Sequence, residues 1–183
     1  MNERTDKELV DASMEGDRMA FSELVNRHQD AVYNLAYQMT RNAAAAEDLA
    51  QESFIRAYTR LSQYKPEYPF VNWLLGICAN LSRSLYRSWQ RQRAFETDYT
   101  AEQEMHQQTS TSPSTQAGAG ADVSEALQQL PAKLRLPLVL QYMEGLSLQE
   151  IADTLGLRLS ATKMRLQRGR ERMLKLLREE HTR

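Results

Sequence analysis

The sequence contains few of the residues that carry chemistry. It has one cysteine, Cys78, and three histidines in 183 residues. A single thiol cannot close an internal disulfide, and its place on an apolar helical stripe predicts a small buried side chain. A phosphate-binding glycine loop, a metal-spaced His or Cys set and a nucleophile paired with a base are also missing. We therefore expect no enzyme activity, no cofactor and no metal.

Long apolar runs are missing as well. No segment approaches the roughly 20 apolar residues that cross a bilayer. The acidic start, residues 1–16, lacks the apolar core and basic flank of a signal sequence. Strict alternation of apolar and polar residues, which marks a half-buried strand, does not occur over a useful length. The sequence predicts an all-α protein that does not insert in a membrane and stays in the cytoplasm.

Basic residues are absent from one long central stretch. Residues 94–130 contain six acids and no Lys or Arg. On either side, residues 80–93 hold four arginines and no acid, and residues 158–183 hold nine Lys or Arg against three acids. The overall charge of −1 hides this asymmetry. Two basic islands separated by an acidic stretch indicate two separate contacts with a polyanion.

The acidic stretch also divides the chain into domains. Residues 94–122 are rich in Ser, Thr, Gln, Ala and Gly and lack apolar periodicity, which is typical of a flexible linker. Residues 1–93 and 123–183 show apolar residues at the i, i+3, i+4, i+7 spacing of helices. One helix is expected to start near Pro69, and His28 lies on a helix face as a structural residue. The prediction is two small helical domains joined by a linker.

Two predicted helices carry a second patterned face opposite the apolar one. On the first, acidic residues surround one exposed branched apolar residue, as at the centre of a protein interface; a solvated face is the alternative. This acidic face is Asp48, Gln51, Glu52 and Ile55. On the second, hydrogen-bond donors recur without an acid to neutralise them, which suits phosphates and base edges. This basic face is Asn80, Arg83, Ser84, Arg87 and Arg91.

Aromatic residues accompany the basic face. Tyr86 and Trp89 flank it, and Trp89 is either a base-stacking residue or a core residue at the helix end. The preceding loop, QYKPEYP, adds Tyr64, Lys65 and Tyr68 in a proline-bounded turn. Aromatic faces and a cation are what an unstacked base requires, so the loop is a candidate base pocket.

The strongest local pattern is GLSLQEIADTLGLRLSATKMRLQRGRERM, which predicts a helix-turn-helix. Ser147 and Glu150 form a capping box at the start of the first helix. Gly156 can end that helix in a left-handed conformation, and Leu157 and Arg158 make the turn. The inward residues of the first helix are Ile151, Ala152 and Leu155.

The second helix of this motif is expected to read duplex DNA. Ser160 is predicted to cap it, with Leu159 and Met164 as a hydrophobic staple. Its inward seam is Leu159, Thr162, Leu166, Gly169 and Met173. Its exposed residues suit phosphates and the major-groove edges of bases. They are Ala161, Lys163, Arg165, Gln167, Arg168, Arg170 and Arg172.

Three strings in order, AEDLAQESFIRAYTRL, FVNWLLGICANL and LQQLPAKLRLPLVLQYMEGLSLQEIADTLGL, resemble the extracytoplasmic-function (ECF) sigma factors of bacterial RNA polymerase. The resemblance implies a first domain that binds the polymerase clamp and the minus-ten promoter element. It implies a second domain that binds the polymerase flap and the minus-thirty-five element. An anti-sigma factor that holds the protein inactive is a further implied partner.

The resemblance also implies residue roles. Core polymerase binding falls on the acidic face, and minus-ten DNA binding falls on Tyr64, Lys65, Tyr68, Asn80, Arg83 and Arg87. Minus-thirty-five binding falls on Arg158, Ser160, Ala161, Lys163, Arg165, Gln167, Arg168 and Arg170. The chain departs from many relatives at Ser84, where an acid is common, and at residues 160–163, which read SATK in place of GTVK. The promoter sequence therefore does not follow from the resemblance.

Two other functions are compatible with parts of the pattern. A stand-alone regulator could bind duplex DNA as a dimer through the helix-turn-helix. It leaves the acidic and basic faces of the first domain unexplained. A helical signalling adaptor that binds only proteins would make Arg165 and Arg168 irrelevant to activity. Gel shifts with and without core polymerase, and charge reversal of those two arginines, separate the three.

Overall fold

The computed structural model describes the backbone of residues 4–99 and 119–180 and the side chains of residues 4–89, 91 and 123–179. Within those ranges the structure is all-α, as predicted, and contains no strand. The helices are α1 (Asp6–Met14), α2 (Arg18–Thr40), α3 (Ala43–Thr59), α4 (Phe70–Tyr99), α5 (Ala119–Gln129), α6 (Ala132–Tyr142), α7 (Leu148–Leu155) and α8 (Leu159–Glu180), with a 3-10 turn at Leu61–Gln63.

Side-chain caps define where the first helices begin. Thr5 and Glu8 form a capping box on α1, and these hydrogen bonds lower the pKa of the Glu8 carboxyl. Asp17 accepts from the first backbone amides of α2, and Asn42 accepts from the Ala45 amide of α3 at 2.9 Å. Between α2 and α3 the chain turns at Arg41, which adopts a left-handed φ of 54°.

The N-terminal unit packs α2, α3 and α4 around a core of aliphatic and aromatic side chains. Leu24, Leu35, Phe70 and Leu74 are fully buried or nearly so. Each such side chain contributes about 2 kcal/mol through burial of apolar surface. Cys78 is also buried in this core, as the sequence predicted. The His28 ring accepts or donates a 2.7 Å hydrogen bond with Asp6, which is a structural role.

The C-terminal unit is built from α5 to α8, and α6 packs against α8. Gly169 of α8 is buried against α6. A Cβ at that position would lie 2.9 Å from Leu138 Cδ1 and 3.3 Å from the Leu134 carbonyl oxygen. The glycine therefore sets how closely the two helices pack.

The two units contact each other directly. One buried apolar cluster includes residues of both. Gln128 Nε2 donates to the Gln38 carbonyl oxygen at 2.9 Å, and Arg41 Nη1 donates to Ser124 Oγ at 2.8 Å. Helix α7 packs against α4. The sequence predicted the two units but gave no sign of their contact.

Helix boundaries differ from the predicted ones in three places. Helix α4 continues to Tyr99 and α5 begins at Ala119, so both ends of the predicted linker, residues 94–122, are helical; residues 100–118 lie outside the described ranges. Helix α8 begins at Leu159, so Ser160 is not its cap. The Arg158 carbonyl starts the helix instead, accepting from the Thr162 amide at 3.0 Å. Leu159 is 46% exposed and is not part of the inward seam. None of the described helices is long and apolar enough to span a membrane.

Candidate protein and nucleic-acid interfaces

The acidic face lies on the outer ridge of α3. Asp48, Gln51 and Ile55 are exposed, and Ile55 keeps 52% of its surface in solvent. Arg56 donates to Glu52 at 2.6 Å, which neutralises one of the two carboxylates. Asp48 has no ion-pair partner among the described residues. The ridge therefore presents an unpaired carboxylate beside an exposed aliphatic side chain, which is an arrangement suited to binding a basic protein surface.

A shallow groove between α3 and α4 adjoins this ridge. Asp48 and Glu52 line one side of the groove, and Leu81, Leu85 and Trp89 line the other. Trp89 is 36% exposed. It therefore lies beside the acidic face and not on the basic one. Its spacing of four residues from Leu85 and eight from Leu81 is the signal that predicts this placement.

The basic face runs along the exposed side of α4. Arg83 Nη2 donates to Asn80 Oδ1 at 2.6 Å, and Arg87 Nε donates to the Arg83 carbonyl oxygen at 3.3 Å. Burial lowers the pKa of the Arg83 guanidinium, and the nearby charges of Arg165 and Arg87 lower it further. Neither Arg83 nor Arg87 forms a salt bridge within the described part of the chain. The face is thus a row of donors that lacks a neutralising acid.

The loop before α4 is held by an aromatic cluster. The Tyr64 hydroxyl donates to the Tyr68 carbonyl oxygen at 2.6 Å. Its ring packs 5.4 Å from Phe70 and 5.5 Å from Trp73, centroid to centroid, and burial raises the pKa of its phenol. Tyr64 therefore shapes the loop from within. Lys65 and Tyr68 are exposed, so these two are the loop residues available to a ligand.

The helix-turn-helix forms as predicted at its first helix and turn. Ser147 Oγ accepts from the Glu150 amide at 3.3 Å, and the Glu150 carboxylate accepts from the Ser147 amide at 2.8 Å. These bonds, with one from Asn72, lower the pKa of Glu150. Gly156 ends α7 with a φ of 61°. The 3.6-residue period and the caps were sufficient to predict this motif.

Helix α8 exposes most of the residues predicted to contact duplex DNA. Arg158, Ser160, Lys163, Gln167, Arg168 and Arg170 are exposed, whereas Ala161 and Arg165 are partly buried. Gln167 donates to Glu171 at 3.0 Å, and Arg170 lies 3.5 Å from the Tyr142 hydroxyl. Thr162, Leu166 and Gly169 face inward and hold the helix against the domain.

The described residues contain no group of three or more His, Cys, Asp or Glu placed to hold a metal ion. Burial raises the pKa of the Cys78 thiol to about 11, so it is not a reactive thiolate at neutral pH.

Comparison with known proteins identifies both units. Residues 24–93 match Sigma-70 region 2, and residues 121–173 match Sigma-70, region 4. The chain is 33% identical over 187 residues to the ECF RNA polymerase sigma factor SigW of Bacillus subtilis, covering 94% of this chain and 97% of SigW. It is 38% identical over 185 residues to SigE of Mycolicibacterium smegmatis, covering 94% and 67%.

Solved structures agree with these matches. CnrH, solved in complex with the cytosolic domain of CnrY, superposes with a TM-score of 0.71 at 28% identity, covering 95% of this chain and 97% of CnrH. The sigma factor RpoE of Bartonella quintana, solved with the anti-sigma factor NepR, has the same fold, with a TM-score of 0.66 at 22% identity and coverage of 86% and 96%. The chain therefore belongs to the ECF family of RNA polymerase sigma factors.

Proposed function

We propose that this sigma factor binds core polymerase through the acidic face of α3 and reads its promoter through the basic faces of α4 and α8. The observation that carries the proposal is the separation of charge on the first domain. Asp48 is exposed and unpaired on α3, while Arg83 and Arg87 on α4 lack acidic partners within the described residues. One helix thus suits a basic protein surface, and the next suits phosphates.

The acidic face would dock on the clamp of the polymerase. Ile55 supplies the apolar centre that such an interface needs, and Asp48 supplies unpaired charge at its edge, next to the Glu52–Arg56 ion pair. Trp89, in the adjoining groove, extends the apolar surface next to Asp48. The stand-alone regulator considered as an alternative has no use for this surface.

The basic face of α4 and the loop before it would bind the minus-ten element. Asn80 offers an amide to a base edge, Arg83 and Arg87 neutralise phosphates, and Lys65 and Tyr68 could receive an unstacked base. The free energy for strand separation would come from these contacts and not from nucleotide hydrolysis. The protein is accordingly proposed to act without enzyme activity, in the cytoplasm.

Helix α8 would enter the major groove at the minus-thirty-five element, while the second domain also contacts the polymerase flap. The exposed arginines and Lys163 match phosphates and guanine edges, and Gln167 matches adenine. A regulatory anti-sigma protein is a further proposed partner. Its support is the likeness to CnrH, which was solved with a second protein bound.

The decisive experiment reverses one charge on α3. Asp48→Arg should abolish association with purified core polymerase, because the new cation would repel the basic clamp surface that the carboxylate is proposed to bind. The matched control is Glu15→Arg, an equal change in net charge at another exposed acid. Association is measured by co-purification, and initiation by run-off transcription. Normal association of Asp48→Arg, or loss with the control as well, would contradict the clamp assignment.

A further inference from the structure

Helix α7 of the second domain lies against α4 of the first through a specific polar contact. Asn72 Nδ2 donates a 3.0 Å hydrogen bond to Glu150 Oε1. Asn72 is 94% buried, since its relative exposure is 6%. A buried amide requires a partner, and here the partner comes from the other domain.

Glu150 serves two purposes at once. One of its oxygens, Oε2, accepts from the Ser147 amide and completes the capping box at the start of α7. The other, Oε1, accepts from Asn72. The capping box fixes the carboxylate before the domains meet, so the contact with Asn72 forms without ordering a free side chain.

A glycine permits the close approach of the two helices. A Cβ on Gly76 would lie 2.9 Å from the Thr154 carbonyl oxygen, a backbone atom of α7. Backbone cannot turn aside as a side chain can. Glycine in the middle of a helix is otherwise unfavourable relative to alanine. Its presence in α4 is explained by the close contact that it allows with the backbone of α7.

The side of α4 that contacts α7 is continuous with the basic face. Asn72, Gly76 and Asn80 are spaced four residues apart, so they lie on one side of α4. The cleft beside them is lined by Lys65 and Tyr68 from the loop and by Glu150 and Asp153 from α7. Two acids of α7 thus stand opposite the loop residues that are exposed for a base.

We propose that α7 is an intramolecular latch in the free chain: it packs on α4 beside the exposed minus-ten residues Lys65, Tyr68 and Asn80 and blocks the approach of promoter DNA to them. Promoter DNA and α7 compete for the same side of α4, so the latch must open before the minus-ten element binds. This inference rests on the assignment of that element to Asn80, Arg83 and the loop. The partner of the surface in the closed state is the first helix of the chain's own helix-turn-helix.

The closed arrangement also brings like charges together. Arg165 of α8 is near enough to Arg83 of α4 to disfavour its charged form. Salt screens this repulsion, since the Debye length falls to about 10 Å at 0.1 M. Added salt therefore weakens the force that opens the latch, in addition to weakening phosphate contacts.

The first test is Gly76→Ala in the full chain. The added methyl group should hold α7 away from α4, while alanine favours the helix of the first domain. Opening is measured by fluorescence energy transfer between two dyes, attached to the cysteines of an Asn34→Cys/Lys175→Cys chain; both positions are exposed. An Asn34→Ala/Lys175→Cys chain has only one of the two labelling sites and is the labelling control. We expect lower transfer efficiency and about tenfold tighter binding of a fork-junction DNA. Its sequence is taken from a promoter found by run-off transcription of genomic fragments with core polymerase.

The second test exchanges the hydrogen-bonding pair. Asn72→Asp places a carboxylate against Glu150 and should open the latch. Adding Glu150→Gln should close it again, because the amide and carboxylate have then exchanged positions and glutamine still serves in a capping box. This rescue separates a broken contact from a damaged fold. Circular dichroism at each step checks that the helices are retained.

The outcomes distinguish failure of the latch from failure of the minus-ten assignment. Unchanged energy transfer in Gly76→Ala and in Asn72→Asp overturns the latch. Opening without a gain in fork-junction binding shows that α7 does not block DNA, which also overturns the latch. If Asn80 and Arg83 variants bind the fork junction normally as well, the minus-ten surface lies elsewhere. Opening with tighter binding, reversed by Glu150→Gln in the Asn72→Asp chain, supports it.

Discussion

The guanidinium of Arg83 donates a 2.6 Å hydrogen bond to the side-chain oxygen of Asn80. This bond orients the asparagine amide so that its oxygen is occupied. The amide nitrogen has no hydrogen-bond partner within the described residues. Arg83 thus positions Asn80 for donation, and an amide nitrogen can donate to an acceptor on a base edge.

Asn80→Asp tests this arrangement. The carboxylate would keep the bond to Arg83 and would strengthen it, but it cannot donate to a base and it repels phosphate. We expect run-off transcription to fall by about 5-fold to 150-fold, since one lost base contact costs about 1–3 kcal/mol. Co-purification with core polymerase should be unchanged.

The comparison variant is Asn34→Asp, the same chemical change at an exposed position of α2. It should transcribe normally. Full activity of Asn80→Asp would show that donation by this amide is not required.

Charge reversal on α8 tests the second reading surface. Arg165→Glu together with Arg168→Glu should reduce transcription from a minus-thirty-five-dependent promoter by about 100-fold, because two phosphate or base contacts become repulsive. Lys175→Glu, further along the same helix and exposed, is the control. A signalling adaptor that never touches DNA would keep its activity in the double variant, so normal transcription would reject the DNA-binding role of this helix.

Much of the fold follows from local pattern. The apolar period of 3.6 residues predicts α2, α3 and α4, and the Ser147 capping box with Gly156 predicts α7 and its end. These signals are local because each depends on side chains within one or two helical turns. The exposure of Asp48 and Ile55 follows from the same reasoning, since the face opposite an apolar stripe must meet solvent.

The contact between domains does not follow from local pattern. Asn72 and Gly76 are a polar residue and a helix-weakening residue within α4, and nothing near them in sequence explains either one. Their partners, Glu150 and Thr154, are more than 70 positions away. The start of α8 was also missed, because a serine is a common cap but the Arg158 carbonyl can begin a helix without one.

Gly169→Ala tests how α8 is held in the second domain. The new methyl group would lie 2.9 Å from Leu138 Cδ1 and 3.3 Å from the Leu134 carbonyl oxygen, and Leu138 is itself buried. Overpacking of this kind costs about 1–3 kcal/mol, which exceeds the gain in helix propensity. Urea unfolding should show the loss. Arg172→Ala, exposed on the same helix, should change the free energy of unfolding by less than about 0.5 kcal/mol.

The buried thiol of Cys78 should make the free energy of unfolding depend on pH in the alkaline range. Its pKa is raised from an ordinary value of 9.0 to about 11, chiefly by burial, against hydrogen bonds from Ser53 and Ser82 that lower it. Between these values the folded chain retains the proton and the unfolded chain releases it. Stability from this group is therefore complete below pH 9 and declines as pH rises towards 11.

Comparison with Cys78→Ala isolates this effect, because other titrations are common to both chains. The variant should be less stable at pH 7, where it lacks the buried sulfur. The difference in free energy of unfolding should then shrink by about 2 kcal/mol between pH 8 and pH 11. Urea unfolding at each pH measures it. A constant difference would mean that the thiol titrates at the same pH in both states, and rapid reaction of the native chain with a thiol reagent at pH 8 would show that Cys78 is accessible.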